Sequence, residues 1–152
     1  MKRWVLLLLL GALLLCKPFS ATDVARLKPV DVIRVSTTNG GILVETDTGE
    51  TGTGQDLDSA FENLKKTADG EIFLETADRL LISPQAVELL PELTDYLRPG
   101  CNICVEMCAV ELDLVSDFLD THEPGLTLQD HRAGQCVLPV LYLIDGRMYL
   151  VE

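Results

Sequence analysis

A chain of 152 residues provides for one domain with a hydrophobic core of its own. Twenty-four acidic against twelve basic residues leave a net charge of −12, which repels phosphate backbones and anionic headgroups. Nucleic acid and anionic lipid are thereby excluded as ligands of the folded part, which suits a solvated acidic exterior or a basic partner protein.

The chain opens Met1-Lys2-Arg3-Trp4 and runs apolar from Val5 to Leu15, ending at Cys16, the pattern of an export signal. At about 1.5 Å per residue, the stretch Trp4 to Cys16 spans roughly 20 Å, short of the roughly 30 Å hydrocarbon core. A spanning helix is therefore the weaker reading. Cleavage after Ser20 or Ala21 would place Pro18 or Phe19 where a small residue is wanted. Leu13-Leu14-Leu15-Cys16 has the form of a lipobox, with Leu15 where Gly, Ala or Ser is usual, and makes Cys16 the candidate for lipid attachment. The other reading of Cys16 is an inert apolar residue inside a leader. Lipidation would hold the domain at the outer face of the cytoplasmic membrane, and cleavage without it would secrete the domain. Removal of residues 1–15 takes away Lys2 and Arg3 and no acid, leaving a net charge of −14. Residues 1–16 are thus a leader, 17–29 a tether with a short helix at Asp23–Leu27, and 30–152 a single mixed α/β domain.

Val30 to Ser36 is rich in β-branched residues and reads as a strand. Asn39-Gly40, between two β-prone runs, predicts a hairpin whose turn residues both take positive φ. Gly49 to Gly54 (GETGTG) reads as a flexible loop, since neither a GxGxxG nor a GK[ST] phosphate motif is present. Asp56 or Asp58 caps a helix whose buried face is Leu57, Ala60/Phe61, Leu64 and Ala68. Lys65 and Lys66 suit its C-terminal dipole, and Gly70 stops it. Glu71 to Leu74 is a short extended or turn segment.

From Arg79 to Cys108 the pattern is strand, helix, strand. Leu80-Leu81-Ile82 is the first strand, Ser83 a cap, and Pro84 the first helical residue. Val87, Leu90, Leu93 and Leu97 mark the helix face, and Pro91 divides it into Pro84–Leu89 and Pro91–Leu97. Pro99-Gly100 ends it before a strand from Cys101 to Met107, parallel to the first. Leu112, Val115 and Phe118/Leu119 mark another helix ending near His122. A polar connection, Leu126 to Gln135, follows. Cys136–Ile144 and Arg147–Val151 close the chain as a hairpin about Asp145-Gly146, with Pro139 at a sheet edge or early in its strand. The order β-β-α-β-α-β-α-β-β predicts an α/β (α+β) fold: a mixed sheet of about five to six strands, three main helices packed on it, and one βαβ crossover.

Cys101, Cys104, Cys108 and Cys136 are the chemical temptation. Zinc or an iron–sulfur cluster needs four ligands converging on one point. A strand sends alternate side chains to opposite faces, so Cys101 would face away from Cys104 and Cys108. Those two would lie about 13 Å apart, beyond disulfide or shared-metal reach. The thiols then read first as buried strand residues, next as a disulfide from Cys101 or Cys104 to Cys136, and third as a metal site. CNIC begins a strand rather than a helix, which argues against a thioredoxin-like redox pair. His122 and His131 fall in polar connections, and no two carboxylates stand out as an acid–base pair. A non-enzymatic chain without a cofactor is expected.

The whole chain resembles the N-terminal domain of the spore-germination Ger(x)C family, the lipoprotein C subunits of germinant receptors. The likeness rests on Cys16, the acidic Asp23–Leu27 segment, the Val30–Val35 strand and the Gly41–Thr46 strand. It continues through Gly54-Gln55-Asp56-Leu57-Asp58-Ser59-Ala60, Leu80-Leu81-Ile82, Leu93–Arg98, Asn102–Met107 and Leu138-Pro139-Val140. Lys17-Pro18 stands where the family commonly has Trp-Asp, and the family's later domains are absent, so a full receptor subunit is not implied. The resemblance implies an envelope-facing, non-enzymatic domain of a spore-forming bacterium, at the cytoplasmic or spore inner membrane, acting in germination or sporulation through contact with another envelope protein. The alternative is an exported thiol or metal-binding protein using Cys101, Cys104, Cys108 and Cys136.

Overall fold

A computed structural model describes residues 27–108, 110–135 and 137–152. The leader with Cys16, residues 17–26 of the tether, and Cys136 lie outside the described residues. Among the described residues there are nine strands: β1 (Leu27–Pro29), β2 (Val32–Thr38), β3 (Gly41–Thr46), β4 (Thr51–Gly54), β5 (Glu71–Phe73), β6 (Arg79–Ile82), β7 (Asn102–Glu106), β8 (Val140–Ile144) and β9 (Arg147–Val151). The α-helices are α1 (Leu57–Thr67), α2 (Leu90–Leu93), α3 (Leu112–Leu119) and α4 (Leu128–Arg132). Short 3-10 turns cover Leu74–Thr76 and Pro84–Leu89.

Seven strands form one mixed sheet in the order β4-β3-β2-β6-β7-β8-β9, and β1 pairs with β5 in a small parallel sheet. β2, β6, β7 and β8 run parallel; on one side β3 pairs antiparallel with β2 and β4 antiparallel with β3, and on the other side β9 pairs antiparallel with β8. The expected mixed α/β class holds. So does the βαβ crossover from β6 to β7, which pair in parallel with Leu80 beside Ile103 and Ile82 beside Val105.

Two cores sandwich the sheet, because parallel strands covered on both faces are apolar at both parities. One core gathers Ile33, Val35, Leu80, Ile82, Ile103 and Val105 under α1, the Pro84–Leu93 segment and α4. The other, smaller core gathers Val32, Leu81, Cys104 and Leu141 under Val115 and Leu119 of α3. α1 begins in a reciprocal capping box: Asp56 accepts from the Ser59 N–H at 2.8 Å, and the Asp56 N–H donates to Ser59 Oγ at 3.2 Å.

Several expectations are corrected. The β2–β3 hairpin turns at Asn39-Gly40 as expected, yet neither residue has positive φ. The left-handed residue is Gly41 (φ 131°), whose absent side chain also makes room for the Gly54 carbonyl. The GETGTG stretch is strand β4 at Thr51–Gly54, not a loop, because its glycines let α1 lie directly on it. With β4 the main sheet exceeds the expected strand number by one. Of the helix expected at Asp23–Leu27 only Leu27 is among the described residues, and it opens β1. Ser83 precedes the Pro84 turn but makes no capping hydrogen bond, and its Oγ is buried without a partner among the described residues. The crossover segment breaks as Pro91 demands, but into a 3-10 turn and the four-residue α2. The connection read as polar, Leu126 to Gln135, holds α4, capped by Thr127 and Asp130 and anchored by buried Leu126 and Leu128. β7 stops at Glu106 and β8 starts at Val140, just after Pro139, whose carbonyl still accepts from the Val105 N–H at 2.8 Å.

Candidate functional site

The cysteines are placed by β7. Cys101 is buried in the larger core and Cys104 in the smaller one, on opposite faces of the sheet. Burial pushes both thiols up to about 12, away from the thiolate that metals and disulfide exchange require. Cys108 lies beyond the strand's end and is exposed, so strand alternation does not relate it to Cys104. Among the described residues no three His, Cys, Asp or Glu side chains are grouped to hold a metal. In the native protein at pH 8, iodoacetamide is expected to modify Cys108 at least ~100-fold faster than Cys101 or Cys104. Peptide mass spectrometry reads each site separately; comparable rates at the three would contradict the buried placement.

Among the described residues neither histidine ring is hydrogen-bonded to a carboxylate or a thiol. His122 lies three residues beyond the end of α3, stacked on Phe118, ring centroids 4.3 Å apart, with Nδ1 3.1 Å from the Phe118 carbonyl. His131 sits in the last turn of α4, not in an unstructured connection.

The sequence reading missed the pair that fixes the carboxyl end of the sheet. Arg34 on β2 and Glu106 on β7 are both buried on the smaller-core face, joined bidentately at 2.7 and 2.9 Å. Arg34 also donates to the Val110 carbonyl and lies 3.5 Å from Glu45. Glu106 accepts from the Val110 N–H at 3.1 Å. Opposite charges in two strands destined for the interior were the available signal. The pair pins the segment between β7 and α3 to the sheet, and Arg79, bonded to Asp120 at 2.7 Å, holds α3 at its far end. Between this anchor and the β3–β4 turn runs an open groove of about 710 Å³, rimmed by Glu45, Asp47, Glu111 and Asp113. Partial burial raises the Asp47 carboxyl above its usual range, partly offset by hydrogen bonds from the Asp31 and Val32 backbone. Arg34 being neutralised by Glu106 and Glu45, the groove is acidic and repels anions.

The closing hairpin about Asp145-Gly146 is present as expected, as β8 and β9; what the sequence reading missed is its exposed face. Its register pairs Val140 with Val151, Tyr142 with Tyr149 and Ile144 with Arg147 on the larger-core face. Leu141, Met148 and Leu150 turn to the other face and pack on the smaller core. The larger-core side is covered over the central strands, but its cover stops short of this hairpin. Ile144 is 54% exposed, Tyr149 45% and Val151 53%. Among the described residues nothing pairs with the outer edge of β9. A bare apolar sheet face beside an open strand edge is the signature of a protein-contact surface. The signal in the sequence was LYLI-DG-RMYLV, apolar at both parities in a chain segment that ends a sheet. Comparisons with protein-family models, with curated proteins and with solved structures gave no match to this chain.

Proposed function

We propose that the chain is an exported, membrane-anchored binding or assembly module of the cell envelope, working by protein contact and not by catalysis. The uncovered β8–β9 surface carries this reading, since Ile144, Tyr149 and Val151 present apolar area that an isolated soluble domain gains nothing from exposing. The leader and Cys16 supply the route to the membrane face, and among the described residues no helix is long and apolar enough to cross a membrane. The resemblance to the N-terminal domain of germinant-receptor C subunits supplies the process: spore germination or sporulation, with another envelope protein as partner. The thiol or metal alternative is weakened by Cys101 and Cys104 standing on opposite sheet faces. The test is made in the native host. Lipid labelling should mark the wild-type chain and not the Cys16→Ser chain, and deletion should slow germination or lower spore yield. An unlabelled wild type would remove the anchor, and a deletion without either defect would remove the process.

A further inference from the structure

The two edges of the sheet are built differently. β4 has four residues, two of them glycines, and α1 lies across one of its faces. β9 has five residues in unbroken register, with no proline, no bulge and no inward-pointing lysine, the usual guards of an open edge. The two-residue turn Asp145-Gly146, with φ of 50° and 74°, makes Ile144 and Arg147 the closing hydrogen-bonded pair. Antiparallel bonding alternates from there, so Arg147, Tyr149 and Val151 bond inward to β8, while Met148 and Leu150 direct N–H and C=O outward.

We propose that β9 pairs antiparallel with β9 of a second copy of this chain, about a twofold axis at Tyr149. This rests on reading the hairpin as a contact surface and names its occupant. The twofold makes Met148 and the other copy's Leu150 hydrogen-bonded partners, in two reciprocal pairs. The tyrosines then face each other at the closer, non-hydrogen-bonded position, where aromatic side chains pack best. Charge selects the direction. Arg147 begins the strand and has no ion-pair partner among the described residues, and Glu152 follows the strand's end with only the Gly125 N–H, at 3.0 Å. Antiparallel pairing sets Arg147 of each copy opposite the other's Val151, one residue from the other's Glu152, so that unlike charges lie at each end of the ladder though on alternate faces. Parallel pairing would set like beside like at both ends, which destabilises. The net charge of −12 per chain does not forbid the contact, since repulsion between distant carboxylates is screened beyond ~8 Å at physiological salt. An edge pair of this size gives a weak, reversible dimer.

Sedimentation equilibrium of the full chain in mild detergent, from about 1 to 100 µM, tests it, since such small interfaces associate in that range. Wild type should dimerise reversibly. Tyr149→Asp and Tyr149→Lys, at a half-exposed side chain that leaves the fold intact by circular dichroism, should each raise the dissociation constant at least ~10-fold by setting like charges at the axis. An equimolar mixture of the two variants should recover the dimer. A monomeric wild type, undiminished association in either variant, or no recovery in the mixture would overturn the pairing. A monomer that still cross-links from position 149 to another envelope protein would overturn it while leaving the module reading standing.

Discussion

Glu106→Ala is expected to cost about 3–5 kcal/mol of folding stability, the range found when one partner of a buried ion pair is removed. The cost is not the value of the pair itself. It comes from leaving the Arg34 guanidinium, on a side chain only 10% exposed, without its bidentate carboxylate. Glu45, at 3.5 Å and more exposed, can take up part of that charge, which places the expectation toward the lower end. The Val110 N–H loses its acceptor in the same step, so the start of α3 loosens together with the sheet. Against a total stability of 5–15 kcal/mol for an ordinary domain, such a loss moves a urea midpoint far enough to read directly. The double variant Arg34→Met/Glu106→Leu separates the two effects. It removes both charges and both desolvation costs, and should return most of the lost stability. A single variant as stable as wild type, or a double variant worse than Glu106→Ala, would refute the arrangement.

How much of this was legible follows from where the information sits. The crossover from β6 to β7 was readable because Leu80–Ile82, the Pro84 start and the alternating Asn102–Glu106 run each carry a local signal for their element. The opposed faces of Cys101 and Cys104 followed from strand geometry alone. Most of the failures share one cause: the deciding partner is distant in sequence. Arg34 finds Glu106 across 72 residues, and no local pattern predicts that two charged strand residues will be buried against each other. α4 was hidden by its five-residue length, although the Thr127/Asp130 cap was visible in principle. The β8–β9 surface could not be recognised until it was known which helices cover which strands. An apolar strand reads the same whether its second face is buried or bare.

Gly52→Ala is expected to destabilise the fold by about 3 kcal/mol, the upper end of what overpacking usually costs. Gly49 to Gly54 reads from the sequence as a flexible loop, yet Thr51–Gly54 is a strand: glycine, which strands otherwise disfavour, is there because another backbone comes close. A Cβ at position 52 would collide with the Ala60 carbonyl and stand 2.6 Å from both the backbone N and the Cβ of Leu64. These atoms belong to the middle of α1, held by Phe61 and Leu64 in the larger core, so no flexible side chain can swing aside. α1 must lift from β4 or β4 must leave β3, and either movement opens the core that Ala60, Phe61 and Leu64 fill. Gly40→Ala is the control. Its Cβ would meet nothing within 4 Å, and its φ is not positive, so the change should be neutral or slightly stabilising through the unfolded chain. Thermal unfolding should therefore separate the two variants by roughly 10 °C for a domain of this size. Coincident transitions would mean that α1 does not rest on β4, and the protected character of that edge, which sets it apart from β9, would fall with it.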